Sequence, residues 1–263
     1  MSDWNRKPAF DLTGKRALVV GFANPLGEAI ALALAEAGAD VATASATLDG
    51  DEVMAAKRVA RKIGEMGRKS FSQGWDVTLP TNVQVGIKQL GKEFGQSSIL
   101  VYNPEATNWK PTTKLGDAEF ANVQQVNQSG ALYAARSFLR ELPDDAESAR
   151  IILLTSVLGE RGIGWNTAYA VTKGGVQGLV AGLSQEFGKR GVTVNGIATG
   201  WMEWTPGRGP EDIGQNRLLR FIPMRRFGRA EEVAPLAVYL ASDAAGYING
   251  QVFHVDGGIS EHL

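Results

Sequence analysis

The alternation of short apolar runs with longer helical stretches most limits what this chain can fold into. The apolar runs are rich in β-branched residues, as strands covered on both faces are. Seven runs are predicted as strands: Arg16–Gly21, Asp40–Ser45, Lys69–Trp75, Ile99–Asn103, Ile151–Ser156, Val192–Ala198 and Val252–Val255. Because parallel pairing requires crossovers, the intervening helices predict an α/β fold with a doubly wound parallel sheet of about seven strands.

The clearest helical segments end at glycine or continue over many turns. They are predicted at Leu26–Ala37, Asp51–Met66, Ala118–Leu142 and Thr172–Arg190. Residues 201–227 depart from the alternation, since they mix prolines and glycines with a short amphipathic piece, Glu211–Phe221. We expect this segment to be a lid over the ligand crevice, inserted into a single domain that spans residues 1–263.

Composition excludes several classes of function. Lys and Arg total 27 and Asp and Glu total 28, so no net basic field would attract nucleic acid. The chain has no cysteine and two histidines, which argues against disulfides and common metal sites. Neither a secretory signal nor a stretch long enough to cross a bilayer is visible, so no membrane partner and a cytoplasmic location are expected.

A glycine-containing turn joins the first strand to the first helix. It reads Gly21-Phe22-Ala23-Asn24-Pro25-Leu26-Gly27. Glycine lets the backbone approach a pyrophosphate, whose charge is stabilised by amides at the N-terminus of the following helix. The turn indicates a Rossmann-type dinucleotide site, although the same residues would suit a turn that only packs a strand against a helix.

The strongest chemical signal is the pair Tyr169 and Lys173, because a spacing of four puts both side chains on one face of a helix. A nearby ammonium favours the phenolate of a tyrosine, whose unperturbed pKa is about 10, so Tyr169 could exchange a proton with an alcohol. Ser156 closes a predicted strand and Asn127 lies within a predicted helix. The alternatives are a surface tyrosine beside a solvated lysine, a strand cap and an ordinary polar residue.

These motifs resemble the short-chain dehydrogenase/reductase family, and in particular its 3-oxoacyl-[acyl-carrier-protein] reductases, from Leu12 to Gly258. The resemblance implies an NAD(P)(H)-dependent oxidoreductase that interconverts a carbonyl and an alcohol. Tyr169 would be its acid/base and Ser156 would hydrogen-bond the substrate oxygen. Lys173 would also bind the nicotinamide ribose, and Asn127 would support a water leading to solvent. The implied cofactor-binding residues are Gly21, Asn24, Leu26, Gly27, Ser45, Asp76, Val77, Asn103, Tyr169, Lys173, Gly200 and Met202.

Several positions depart from the family pattern. Val20 and Pro25 replace the usual Thr and middle Gly of the turn, Glu105 replaces a glycine after the fourth strand, and Thr199 replaces a proline before Gly200. The proline fixes φ and removes one amide donor. These changes admit an alternative, a protein that keeps the fold for cofactor binding or regulation after catalysis was lost.

The end of the second strand predicts the choice of cofactor. An acid there would accept hydrogen bonds from the 2′-hydroxyl of NAD and repel the 2′-phosphate of NADP. The chain has Ser45 instead, and Ser45, Thr47 and Asn24 could donate to a phosphate. NADP(H) is therefore favoured, while NAD(H) stays possible because the turn lacks an arginine. Ser45 could also simply cap the second strand. Asp76, likewise, could simply cap the turn that follows the third strand.

Tryptophans predict the substrate pocket. Trp165, Trp201 and Trp204, together with Trp109, follow strands or adjoin Tyr169 and would suit a hydrophobic or cyclic substrate. They could equally pack the lid or a subunit contact. A basic cluster near the lid could receive an acyl carrier or a coenzyme phosphate, or could be a solvated face; it consists of Arg217, Arg220, Arg225, Arg226 and Arg229.

The two longest predicted helices carry small or apolar residues on more than one face, including Ala131, Ala134, Leu179 and Leu183. Paired helices in a subunit contact would need such faces. The family resemblance implies a homotetramer, or otherwise a dimer, although burial within one subunit would explain many of the same residues.

Overall fold

A computed structural model describes residues 9–143, 148–205 and 218–261. Its seven strands form one parallel sheet in the order β3-β2-β1-β4-β5-β6-β7, which confirms the predicted sheet. The strands are β1 (Arg16–Val20), β2 (Asp40–Ala44), β3 (Ser70–Gln73), β4 (Ile99–Tyr102), β5 (Ala149–Ser156), β6 (Val192–Thr199) and β7 (Val252–Val255).

Helices cover both faces of the sheet. They are α1 (Pro25–Glu36), α2 (Gly50–Glu65), α3 (Pro80–Glu93), α4 (Asp117–Gln124), α5 (Gly130–Glu141), α6 (Leu158–Arg161), α7 (Thr167–Phe187) and α8 (Ala230–Ala241). Successive residues of β1 point to opposite faces: Val19 joins the cluster beneath α1, α2 and α8, and Leu18 joins the cluster beneath α3, α5 and α7. Burial on both faces explains why the inner strands β1, β4 and β5 are largely apolar.

The observed boundaries correct several predicted ones. β3 ends at Gln73, so Trp75 lies beyond it and is buried in the core. The helix predicted from Thr172 begins at Thr167 and so includes Tyr169. The predicted helix 118–142 is observed as α4 and α5, joined by a π-helical turn at Gln125–Ser129. The sequence did not single out α3 or α8.

Strand order reverses between β1 and β4, and a crevice opens beyond the carboxyl ends of these two strands. The turns that follow them approach closely: Gly21 has φ of +97°, and a Cβ there would lie 2.6 Å from the backbone nitrogen of Pro104. Glycine is therefore required for the two turns to meet. Among the described residues, no helix has the length and apolar composition needed to span a membrane.

Candidate active site

The turn after β1 forms one end of the crevice. The Oδ1 atom of Asn24 accepts a hydrogen bond from the Leu26 amide at 3.0 Å and so caps α1. Pro25 occupies the first helical turn, where its missing N–H would have no partner within the helix. A Cβ on Gly27 would lie 2.2 Å from the carbonyl oxygen of Gly21. The turn is thus tightly closed, with the amides of α1 at its mouth.

The side chain of Ser45 lies at the end of β2. Ser45 is fully buried, donates to the Thr47 carbonyl at 2.6 Å and accepts from the Trp75 amide at 3.1 Å. Its hydroxyl thus has a donor and an acceptor partner within the protein, and a contact with a cofactor phosphate stays a prediction. The open alternative, in which Ser45 caps the strand, describes its observed contacts better.

A carboxylate that sequence reasoning missed occupies this end of the crevice. Glu52, at the start of α2, is 6% exposed. One of its oxygens accepts from the amides of Phe22 and Ala46, each at 2.9 Å. The other accepts from the Thr47 amide at 3.0 Å and the Thr47 hydroxyl at 2.8 Å. The donors at the ends of β1 and β2 thus bind the carboxylate of Glu52. The Thr47 hydroxyl, like that of Ser45, already has a partner within the protein.

The residues after β3 have structural partners. Asp76 Oδ1 accepts from the amide of Thr78 at 3.0 Å and from its hydroxyl at 2.6 Å, which is the turn-capping alternative. Val77 is buried, and its amide donates to the Ala46 carbonyl at 2.9 Å. Neither residue lines the main cleft.

The four predicted catalytic residues are buried at the carboxyl edge of the sheet. Ser156, Tyr169 and Lys173 line one cleft. The ammonium of Lys173 lies 5.4 Å from the centroid of the Tyr169 ring and donates to the Leu154 carbonyl at 3.3 Å. The Ser156 hydroxyl donates to the Thr199 carbonyl at 3.3 Å and accepts from the Leu158 amide at 3.2 Å. Three polar groups therefore converge beside the dinucleotide turn.

Asn127 lies behind this cleft, in the π-helical turn. Its side chain accepts from the Ala106 amide at 2.7 Å and donates to the Ala106 carbonyl at 2.8 Å and to the Thr172 hydroxyl at 3.0 Å. It thereby fixes the segment after β4 against α7. At the start of that segment, Asn103 donates to the Gly21 carbonyl at 3.1 Å and to Asn24 at 3.2 Å, tying it to the turn after β1.

Glu105 is the second carboxylate that sequence reasoning left without a role. The Tyr169 hydroxyl donates to its Oε1 at 2.6 Å, and the side-chain Nδ2 of Asn24 donates to its Oε2 at 3.3 Å. Burial, followed by the charge of Glu105, raises the pKa of Tyr169 well above its usual value near 10. Burial also lowers the pKa of Lys173, although Glu105 opposes that shift. The structure thus reverses our expectation that Lys173 would favour the phenolate.

Tryptophans line the other side of the cleft. Trp109 and Trp201 stack with ring centroids 6.0 Å apart and planes 24° apart, and Trp204 lies beside them. Trp165, predicted in this pocket, does not line it; this residue has φ of +65°, and its carbonyl accepts from the Lys110 amide.

Of the predicted cofactor-binding residues, six line the cleft: Leu26, Asn103, Tyr169, Lys173, Gly200 and Met202.

Known proteins are similar to this chain in sequence and in fold. A family model described as enoyl-(acyl carrier protein) reductase matches residues 21–260. The chain is 32% identical to the 3-oxoacyl-[acyl-carrier-protein] reductase FabG of Escherichia coli over 246 residues, which are 94% of this chain and 97% of that protein.

Two solved structures cover almost the whole chain. A gluconate 5-dehydrogenase from Burkholderia cenocepacia, in complex with NADP and tartrate, superposes with a TM-score of 0.89 at 28% identity and covers 97% of this chain and 98% of its own. A short-chain dehydrogenase/reductase from Serratia marcescens superposes with a TM-score of 0.85 at 30% identity, covering 95% and 99%.

Proposed function

Because the chain belongs to the short-chain dehydrogenase/reductase family, we propose that it is an NAD(P)(H)-dependent oxidoreductase that interconverts a hydrophobic or cyclic ketone and its alcohol. The observation that carries this proposal is the convergence of Ser156, Tyr169 and Lys173 on one cleft. A proton donor, a second hydroxyl and a cation there meet what carbonyl reduction requires.

The turn after β1 fits the pyrophosphate of a dinucleotide. Gly21 and Gly27 allow close approach of the backbone, and the first turn of α1 presents amides for which the helix supplies no acceptor. NADP is supported as the cofactor by the gluconate 5-dehydrogenase complex. NAD stays possible, since Glu52 places negative charge where β1 and β2 end.

When bound, the nicotinamide supplies or accepts a hydride at the substrate carbon. In reduction, Tyr169 gives the proton of its hydroxyl to the substrate oxygen and becomes a phenolate, and in oxidation it takes that proton back. Ser156 orients the substrate oxygen, and Lys173 would hold the nicotinamide ribose. Asn127 keeps the segment after β4 in place through Ala106. No covalent intermediate is needed.

The substrate class rests on the apolar side of the cleft, where Trp109, Trp201 and Trp204 offer broad surfaces for a ring or an acyl chain. The described parts of the predicted lid, residues 201–205 and 218–227, support its placement on this side. Within this segment Leu218 and Ile222 form one apolar cluster with Trp201, while residues 206–217, with most of the predicted Glu211–Phe221 piece, lie outside the described residues.

A 3-oxoacyl group is the second candidate substrate, favoured by the similarity to FabG. The basic cluster gives it less support, because Arg226 and Arg229 both bind Glu232. Arg225 donates to the Arg220 carbonyl at 2.7 Å, and Arg217 lies outside the described residues.

A substrate panel tests the proposal. The unmodified protein should oxidise NADPH or NADH with ketones of graded hydrophobicity and prefer the bulkier ones. Tyr169→Phe should lower kcat/KM by about 10²–10⁴ while fluorescence titration shows unchanged cofactor affinity. Tyr247→Phe is the matched control, since Tyr247 is fully exposed. Cofactor binding without turnover of any carbonyl would favour the non-catalytic alternative, and a preference for small polyols would refute the substrate class.

The single domain, the homotetramer and the cytoplasmic location remain predictions. Exposed Leu132 on α5 lies in a groove with Leu142 and Phe187, and this apolar strip supports assembly although Arg136, Arg140, Glu186 and Arg190 flank it. Light scattering of the purified protein would decide among tetramer, dimer and monomer.

A further inference from the structure

The carboxylate of Glu105 lies between the dinucleotide turn and the proton donor. Its two oxygens take different partners, Tyr169 at 2.6 Å and Asn24 at 3.3 Å. The side chain reaches into the cleft that Ser156 and Lys173 also line. The hydrogen bond runs from the Tyr169 hydroxyl to Oε1 of Glu105, and a carboxylate at this position accepts from the phenol that it faces.

The position of Glu105 is fixed on both sides along the chain. On one side, Asn103 binds the turn after β1. On the other, Ala106 is held through both its amide and its carbonyl by the side chain of Asn127. The backbone at Glu105 therefore has little freedom, and its carboxylate is aimed at the phenol by the fold.

The charged groups around Tyr169 can be assigned element by element. From α7 itself comes Lys173, whose ammonium donates to the Leu154 carbonyl. From the segment after β4 comes Glu105, in direct contact with the phenol. β5 contributes the uncharged Ser156, and the turn after β1 contributes the uncharged Asn24.

Carboxylates on the other nearby elements act elsewhere. Of the helices that pack against α7, α6 carries Glu160, which contacts His254, and α4 carries Glu119, which pairs with Lys110. Glu203, after β6, is exposed, and its charge interacts with that of Arg226. Glu28 of α1 is paired with Lys62 and Arg58. Among the described residues, Glu105 is therefore the anion that opposes ionisation of Tyr169.

We propose that Glu105 is a positioning residue that keeps Tyr169 protonated in the ligand-free enzyme, so that the enzyme begins its cycle ready to donate a proton to a carbonyl. The inference rests on the proposed function, since it assigns Tyr169 the proton transfer. Reduction needs the phenol, so Glu105 lets carbonyl reduction continue to higher pH. Oxidation needs the phenolate, so Glu105 raises the pH at which alcohol oxidation begins.

A spectroscopic titration tests this without turnover. The near-ultraviolet absorbance of phenolate is followed against pH for the unmodified protein and for each Glu105 variant. The same titration is repeated with Tyr169→Phe added to each protein, and the difference between the two curves gives the ionisation of Tyr169 alone. Glu105→Gln keeps an oxygen that can accept from the phenol but removes the charge. The midpoint for Tyr169 should fall by at least about one pH unit, a tenfold change in proton affinity. Glu105→Ala should also lower it, and an equal or higher midpoint in both variants overturns the proposal.

Kinetics supply the second readout. In Glu105→Gln, the acid limb of kcat/KM for alcohol oxidation should move to lower pH by a similar amount. Glu65→Gln, at the exposed end of α2, removes an equal charge far from the cleft and should leave the profile unchanged. Superimposable profiles for Glu105→Gln and the unmodified protein would overturn the proposal while leaving the proposed function standing. A shifted spectroscopic midpoint without turnover of any carbonyl or alcohol would instead refute the proposed function, while the effect of Glu105 on the protonation of Tyr169 would stand.

Discussion

Replacing the buried Glu52 by glutamine tests how much the end of β2 depends on a carboxylate. Glu52 accepts four hydrogen bonds, two at each oxygen, from Phe22, Ala46 and Thr47. Glutamine can supply only one acceptor oxygen, and its NH₂ must face two of these donors. The least costly arrangement turns the NH₂ towards Thr47, whose hydroxyl rotates to accept from it, while the Thr47 amide is left without an acceptor.

The cost follows from these contacts. A fully buried amide without a partner costs about 1–3 kcal/mol, and the partly buried Thr47 amide costs towards the lower end of that range. The hydrogen bonds that lose their charged acceptor also weaken. Glutamine also avoids burying a charge, which offsets part of the loss. We expect Glu52→Gln to lower the free energy of unfolding by about 2–4 kcal/mol.

Urea unfolding at pH 7 measures this change from the shift in midpoint at constant slope. Glu65→Gln is the control and should stay within about 0.5 kcal/mol, because its partner Arg61 is exposed. A loss below about 0.5 kcal/mol for Glu52→Gln would refute the reasoning that these four contacts hold the strand ends. The same variant should increase the affinity for NADPH relative to NADH, since it removes a negative charge beside the expected 2′-phosphate.

Three further perturbations test the turn after β1, the tryptophan side of the cleft and the ion pairs at the start of α8. Gly27→Ala should weaken NADPH binding by at least about tenfold in a fluorescence titration, because its Cβ would lie 2.2 Å from the Gly21 carbonyl and the turn must open. Trp109→Ala should raise KM for hydrophobic ketones by about tenfold, whereas Trp165→Ala, outside the cleft, should change it less than about threefold. Neighbouring arginine side chains and a backbone amide lower the pKa of Glu232 to about 2, so its pairing stabilises the fold above the ordinary glutamate pKa and is lost as pH falls towards 2. Glu232→Gln should flatten the loss of stability over that pH interval, and an unchanged slope would contradict the assignment.

The sequence by itself determined the seven-strand sheet, because apolar runs of strand length carry their burial pattern locally. It also identified Tyr169 and Lys173, whose spacing of four on one helix fixes their common face before any tertiary contact forms. The helices α3 and α8 were harder to recognise. α8 contains Pro235 and is largely apolar, so it lacks the polar face that marks a surface helix.

Only the tertiary structure decided which polar groups are satisfied by the protein itself. Ser45 was predicted to donate to a phosphate, and its hydroxyl has partners within the protein in Thr47 and Trp75, while Glu52 anchors the strand ends. Likewise, the partner of Tyr169 is Glu105, 64 residues away in the chain. Hydrogen-bond partners across such separations depend on how strands and helices pack, and no local spacing records them. The tertiary structure therefore reversed the expected electrostatic effect on Tyr169, which the sequence had correctly placed at the centre of the site.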